Sequence, residues 1–113
     1  MCEKNTLKLV LDEAARGLRG FFGDKLECII LYGSYARGDY DDESDIDVMA
    51  LVNMDRDELA SYRRQVCDYS CDLDLKYDVV ISIKLQDKAT FDRWSGSLPF
   101  FRNVKRDGVF VYG

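Results

Sequence analysis

Histidine is the residue that this 113-residue chain lacks entirely, and its absence excludes several kinds of catalytic site. No Ser-His-Asp triad or Cys-His dyad can form, and no zinc ion can be held by histidine nitrogens. The formal net charge of −5 also argues against general binding to nucleic acid. Neutralising a phosphate backbone needs a surplus of Lys and Arg, so we expect no nucleic-acid partner.

Long apolar runs and flexible linkers are missing as well. No stretch approaches the roughly 20 apolar residues that span a bilayer, and the first residues lack the basic and apolar regions of a signal peptide. The chain has one proline and no Gly/Ser-rich linker. We therefore expect a single domain over residues 1–113, located in the cytoplasm and without a membrane partner.

The four cysteines do not form a Cys-x-x-Cys pair. Cys67 and Cys71 are four residues apart and would share one face of a helix. A redox pair or a metal clip is the functional interpretation of this spacing. Packing of two small apolar side chains in a reduced core is the interpretation that we favour.

Hydrophobic periodicity predicts an α/β (α+β) fold in which helices cover a sheet. Strands are predicted at residues 26–32, 46–52, 76–85 and 109–112, and helices at residues 7–18, 34–38, 55–70 and 98–106. The predicted strand 76–85 alternates, with Tyr77, Val79 and Ile81 on the apolar face. Asp78 is therefore expected on the opposite face, away from the core.

A turn suited to anions is predicted where the strand 26–32 ends. Gly33 allows the backbone to turn sharply and to approach a ligand closely. Free N–H groups at the start of the following helix favour an anion, and the hydroxyl of Ser34 adds a donor. Arg37 lies one turn further on, where it could reach a terminal phosphate. Gly33, Ser34 and Arg37 are thus the candidate phosphate-binding residues.

A pair of carboxylates follows ten residues after Ser34. Asp45 and Asp47 begin an apolar strand and point to the same face, roughly 6–7 Å apart. Such a pair can bridge two Mg²⁺ ions, which sit about 3.5–4 Å apart in two-metal sites and complete their shells with water and substrate phosphate. The alternative is that these aspartates belong to a solvated acidic loop. This alternative suits Asp47 poorly, because apolar residues flank it and burying an unpaired carboxylate costs free energy.

Two better-known motifs do not fit the same residues. A P-loop would need Lys and Ser/Thr after Gly38, where the chain has Asp39 and Tyr40. An EF-hand loop that starts at Asp39 would need glycine at its sixth position, which is Ser44. For a third carboxylate, Asp78 is the candidate as metal ligand and general base. Asp72 and Asp74 share its parity and are the weaker alternatives, since both precede the predicted strand.

Taken together, Gly33-Ser34, the ten-residue gap and Asp45-Ile46-Asp47 resemble the signature of the nucleotidyltransferase superfamily related to DNA polymerase beta. The longer motif, Gly-Ser-Tyr-Ala-Arg-Gly-Asp followed by Ser-Asp-Ile-Asp, resembles the sequences of the minimal nucleotidyltransferases of this superfamily. The resemblance implies a mixed sheet flanked by helices and transfer of a nucleotidyl group from a triphosphate to a hydroxyl. It also implies that Asp45, Asp47 and Asp78 hold two Mg²⁺ ions, while Gly33 and Ser34 grip the β- and γ-phosphates.

Small proteins of this kind are known as antitoxins that adenylylate a tyrosine of HEPN-domain toxins. The resemblance therefore implies ATP as the donor and a HEPN toxin as the partner. One alternative acceptor is a small-molecule hydroxyl, such as that of an aminoglycoside. A further alternative is a non-catalytic module that masks its partner through exposed Tyr35, Tyr40, Trp94, Phe100 and Phe101.

Overall fold

The computed structural model describes residues 4–39 and 44–112, which form a four-stranded sheet with helices on both faces. In chain order the elements are α1 (Lys4–Phe22), a 3-10 turn (Gly23–Lys25), β1 (Leu26–Tyr32), α2 (Ser34–Arg37), β2 (Ile46–Val52), α3 (Arg56–Ala60), α4 (Arg63–Tyr77), β3 (Ile81–Asp87), α5 (Lys88–Trp94), α6 (Pro99–Asp107) and β4 (Val109–Tyr112). None of the described helices is both long and apolar enough to cross a membrane.

The sheet is mixed, with strand order β3-β2-β1-β4. β1 pairs antiparallel with β2 and β4, whereas β2 and β3 are parallel and are joined by the crossover through α3 and α4. The two central strands have nearly continuous apolar sequences, as expected for strands that are covered on both faces. The predicted fold class, a mixed sheet flanked by helices, is confirmed.

Alternation along β2 divides the core into two layers. Ile46, Val48, Ala50 and Val52 pack against α1, α3 and α4 on one face of the sheet. Met49 and Leu51 point to the other face, where they join side chains of α5 and α6. Asp47 has the same parity as Met49, so its carboxylate lies on the α5–α6 side of the sheet. Its neighbours along β2, Ile46 and Val48, are buried in the layer on the opposite face.

The predicted strand 76–85 is wrong in its first part. α4 continues to Tyr77, and Asp78 caps it in the left-handed conformation with φ 53°. β3 begins only at Ile81. The alternation that pointed to a strand was produced by the last turn of a helix, since Leu73 is buried and Tyr77 packs beside it against the α1 layer. Asp78 is consequently an exposed helix cap and has no strand parity.

Three other expectations also need correction. The predicted helix 55–70 is two helices, α3 and α4, and the first helix runs through Gly17 and Gly20 to Phe22. α5 was not predicted, although Asp87 caps it by accepting the N–H of Thr90 at 3.0 Å. Cys67 and Cys71 are exposed rather than packed in the core. The predicted helix 98–106 and the strands at 26–32, 46–52 and 109–112 are confirmed within one residue.

Candidate active site

The two aspartates stand at the start of β2, between its neighbouring strands. Asp47 lies opposite Tyr32 of β1 and opposite Ser82 of β3 in the two ladders. Asp45 precedes the strand and is exposed, whereas Asp47 is partly buried. The predicted pair therefore stands at the start of β2, with one carboxylate open to solvent and the other half enclosed.

Burial, together with the nearby charge of Asp45, raises the pKa of Asp47 above its ordinary value. Its ionised form is thus disfavoured by lost hydration and by like-charge repulsion. In the described part of the chain, no Lys or Arg forms an ion pair with either carboxylate. A hard cation bound between the two would offset both penalties, so this donor set fits Mg²⁺.

The structure does not place Asp78 on the strand face that would set it beside this pair. Ser82, and not a carboxylate, lies next to Asp47 on β3. Asp74 is occupied elsewhere, since its Oδ1 accepts the N–H of Ile81 at 2.8 Å and anchors the start of the strand. Among the described residues, no group of three or more acidic, Cys or His side chains is arranged to hold a metal ion. The described residues thus offer two carboxylates here, and phosphate and water would have to complete the shell of a bound ion.

The backbone turn at Gly33 is present, and its assignment as a phosphate site stays a prediction. Gly33 has φ 75° and ψ −154°, and its carbonyl accepts the N–H groups of Ala36 and Arg37 at 3.1 Å, which begins α2. A Cβ atom on Gly33 would lie 2.7 Å from Oδ2 of Asp47. Glycine is therefore required both for the backbone conformation and for the close approach of the carboxylate. The two halves of the predicted motif meet at this contact.

Arg37 lies beside the turn but has a local partner. Its Nε donates to Oδ2 of Asp39 at 3.3 Å, and the guanidinium is half exposed. With Gly33 it lines a cavity of about 230 Å³ that extends to Phe100 and Asn103 of α6. An exposed ion pair of this kind contributes little stability, so a phosphate group held in the cavity could replace Asp39 as the partner of Arg37.

Two aromatic rings separate this cavity from a larger groove. Tyr32 and Phe100 contact edge to face, with centroids 5.6 Å apart, and both line each of the two spaces. Burial, followed by the charge of Asp47, raises the pKa of the Tyr32 hydroxyl. The second space is a groove of about 650 Å³ along β3, which also includes Asp45. Asp45 therefore borders the groove, while Gly33, which lies close to the carboxylate of Asp47, borders the smaller cavity.

Several residues around the pair were not predicted as site residues. Tyr32 directly precedes Gly33, so its place in the strand could have pointed to it. Ser82 and Lys84 depend on the pairing of β3 with β2, which the sequence does not show. Of the aromatic residues proposed for a masking surface, Tyr35 and Phe101 are buried, while Tyr40 lies outside the described residues. Trp94 and Phe100 are exposed as expected.

Comparison with known proteins points to one family. Residues 21–94 match the family described as Polymerase beta, Nucleotidyltransferase. A Methanocaldococcus jannaschii protein with the name "putative protein adenylyltransferase" is 36% identical over 105 residues, which cover 90% of this chain and 94% of that protein. A second protein of that organism with the same name is 39% identical over 75 residues, or 65% of this chain and 72% of its own length.

Two solved structures share the fold. A crystal structure described as a "putative nucleotidyltransferase" from Sulfolobus solfataricus has a TM-score of 0.57 at 23% identity, over 94% of this chain and 76% of that one. A structure of a toxin-antitoxin with AMP-PNP has a TM-score of 0.55 at 21% identity, over 90% of this chain and 73% of that one. At these identities the likeness concerns the arrangement of helices and strands.

Proposed function

Because this chain belongs to the Polymerase beta nucleotidyltransferase family, we propose that it transfers AMP from ATP to a tyrosine hydroxyl of a HEPN-domain toxin and so acts as an antitoxin. The contact between Gly33 and the carboxylate of Asp47 carries this proposal. It brings a phosphate-binding turn and a metal-binding pair together at one point. The protein adenylyltransferase name of relatives that match most of this chain supports a protein acceptor, and the toxin-antitoxin neighbour supports a toxin.

In the proposed reaction the acceptor oxygen attacks the α-phosphorus of ATP. A new P–O bond forms, the bond to the oxygen that bridges to the β-phosphate breaks, and pyrophosphate leaves with that electron pair. Asp45 and Asp47 would hold two Mg²⁺ ions, which neutralise phosphate charge and lower the pKa of a bound hydroxyl. Gly33 and Ser34 would grip the β- and γ-phosphates, with Arg37 near the terminal one.

The acceptor hydroxyl must lose its proton to a base as it attacks. This base should lie beside the aspartate pair, on the side opposite to Gly33 and Ser34. Asp45 is the exposed carboxylate that borders the groove along β3, so it faces this acceptor side. Asp78 remains a proposed third carboxylate. It lies on the link into β3, where the carbonyl of Val80 accepts the N–H of Ile46 at 2.8 Å. An Asp78→Asn variant decides whether its charge contributes to transfer.

Mass spectrometry of the toxin tests the proposal. The chain, ATP, Mg²⁺ and the HEPN protein encoded beside it should together add the mass of one or more AMP groups to the toxin. Asp45→Asn and Asp47→Asn should abolish this transfer. Asp57→Asn is a matched control, because Asp57 is an exposed carboxylate on α3. Absence of transfer by the unaltered chain, or equal transfer by both site variants, would refute the proposal.

A small-molecule acceptor is tested in the same assay. An aminoglycoside replaces the toxin, and the release of pyrophosphate is measured without any partner protein. We expect no turnover above the rate of ATP hydrolysis in water. Efficient turnover of the small molecule together with no modification of the toxin would favour the alternative acceptor.

A further inference from the structure

β3 has an open edge, and the large groove runs along it. Among the described strands, the sheet order leaves β3 with β2 as its one neighbour. Residues 80–85, six in succession, line the groove together with residues of α4 that share one helix face. Successive side chains point to opposite faces of a strand, so an unbroken run can line one groove only along the backbone edge. We call this space the edge groove.

The backbone of β3 offers unpaired groups to the edge groove. In a parallel ladder, a residue directs both its N–H and its C=O to one neighbour, and the next residue directs both the other way. The carbonyl of Val80 accepts the N–H of Ile46 at 2.8 Å, so Val80 and every second residue after it face β2. Ile83 and Leu85 have the opposite parity and direct their polar groups into the edge groove.

Asp74 limits where another strand could pair. Its Oδ1 accepts the N–H of Ile81 at 2.8 Å, which covers the edge at the end nearest to Asp45. Pairing is therefore possible beyond Ile81, along Ile83 and Leu85. The end at Ile81 stays free of a paired strand, and a side chain can enter there toward the aspartate pair.

Two cations and one carboxylate, that of Asp45, line the edge groove, so its charged lining is net positive while the chain as a whole is acidic. Arg63 of α4 and Lys84 of β3 both line it, and neither forms an ion pair with any described carboxylate. The Nζ of Lys84 lies 5.6 Å from the centroid of the Phe100 ring, which separates the groove from the smaller cavity. The chain as a whole carries −5. An acidic segment would therefore be attracted to this groove more than to the remaining surface.

On the basis of the function proposed above, we propose that the protein acceptor presents its hydroxyl on an extended acidic segment that pairs with the open edge of β3. The segment adds a strand beside Ile83 and Leu85, and backbone hydrogen bonds contribute its affinity. Its hydroxyl side chain enters at the Asp45 end. An acidic side chain of the same segment contacts Lys84 or Arg63.

The ladder sets the spacing that the acceptor must have. Ile46 is level with Ile81, so Asp45 is level with Val80, and Lys84 lies four residues further along β3. At ~3.3 Å per residue this is ~13 Å, which an extended chain covers in about four residues. We therefore expect an Asp or Glu about four residues from the modified hydroxyl.

Charge reversal in the edge groove is the first test. Lys84→Glu and Arg63→Glu should each raise the KM for the toxin about fivefold, the equivalent of ~1 kcal/mol for an exposed pair, with kcat and ATP affinity little changed. Lys105→Glu, an exposed lysine of α6, is the matched control and should leave KM unchanged. Two nine-residue tyrosine peptides, with Glu or Lys four residues from the tyrosine, should exchange their order of preference in Lys84→Glu.

Amide hydrogen exchange is the second test, because it reports strand pairing directly. The N–H groups of Ile83 and Leu85 should exchange rapidly in the free chain and slowly in the complex with the toxin. If the toxin is modified while both amides exchange as in the free chain, or while charge reversal changes nothing, the strand-pairing proposal is refuted and the proposed function stands. If neither the toxin nor a peptide receives AMP, both proposals fail.

Discussion

Gly33 lies so close to Asp47 that a Cβ atom on Gly33 would come within 2.7 Å of Oδ2 of the aspartate. Gly33 directly follows β1, and Asp47 belongs to its antiparallel neighbour β2, where it is paired with Tyr32, the residue before Gly33. The turn that would hold phosphate oxygens and the carboxylate that would hold a metal ion are therefore positioned by the same pair of strands. A change at Gly33 acts on both.

Alanine at Gly33 is expected to abolish most AMP transfer. The new Cβ would displace the carboxylate of Asp47 and would strain a backbone with φ +75°. Gly38→Ala is the matched control, since Gly38 has φ +84° and its added Cβ would meet nothing within 4 Å. Gly38→Ala should lose about 1–2 kcal/mol of stability from left-handed strain. Gly33→Ala should lose more, because ψ −154° places Gly33 in a region that is essentially restricted to glycine, and it alone should lose activity. Initial rates and thermal unfolding of both variants provide the comparison, and equal loss of activity would show that strain alone is responsible.

Neutralising Asp47 is expected to have opposite effects with and without Mg²⁺. Burial and the charge of Asp45 raise the pKa of Asp47 in the folded state, so its ionisation disfavours folding. This penalty appears as the pH rises above the unfolded pKa, about 3.9, and is complete above the folded one. At neutral pH in EDTA, Asp47→Asn should therefore raise the Tm.

Bound Mg²⁺ should reverse the order of the two Tm values. The unaltered chain should gain about 2.7 kcal/mol when Mg²⁺ with a non-hydrolysable ATP analogue is present at a hundred times its Kd. Asp47→Asn should gain much less, because it has lost a ligand that prefers Mg²⁺. Calorimetric scans in both solutions measure the two effects. An equal rise in Tm for both proteins would exclude Asp47 as a ligand.

Alanine at Gly17 is expected to destabilise the protein, although alanine is a better helix former than glycine. A Cβ on Gly17 would lie 2.2 Å from Cζ of Tyr69, whose hydroxyl donates to the carbonyl of Glu13 at 2.6 Å. Overpacking of this contact between α1 and α4 should outweigh the ~1 kcal/mol gain in helix propensity and cost about 1–2 kcal/mol net. Gly20→Ala is the control, because nothing lies within 4 Å of its added Cβ, and it should stabilise the fold. Urea unfolding of both variants measures the difference, and a more stable Gly17→Ala variant would contradict the tight contact.

The ion pair between Glu13 and Lys76 is expected to make the free energy of unfolding depend on pH. Lys76 Nζ donates to Oε1 of Glu13 at 2.7 Å, and this hydrogen bond is the main cause that lowers the pKa of Glu13. A carboxyl with a lowered folded pKa contributes stability above its unfolded value, and this contribution is lost as the pH falls through the folded one. Glu13→Gln should therefore lose less stability than the unaltered chain between about pH 5 and pH 3. Glu27→Gln, at an exposed position of β1, should behave like the unaltered chain, and a Glu13→Gln variant that does the same would contradict the prediction.

Local sequence predicted the elements whose signals do not depend on distant residues. The apolar runs of β1 and β2, the turn at Gly33 and the proline-led helix α6 lie within a residue of their expected places. The strand assignment failed for residues 76–80, because a helix end followed by a short link can imitate alternation. The last turn of α4 is held by packing of Leu73 and Tyr77 against the layer of α1, a contact between segments far apart in the chain.

The sequence by itself determined the two halves of the site, since Gly33-Ser34 and Asp45-Ile46-Asp47 each lie within a single turn or strand. Their distance in space was decided by the antiparallel ladder of β1 and β2. The parallel ladder of β2 and β3 decided that Ser82 stands beside Asp47 and that Lys84 lines the edge groove. A parallel register is set by the length and packing of the helical crossover and not by any local motif. For that reason only the tertiary structure revealed the groove along β3 beside Asp45 and corrected the place of Asp78.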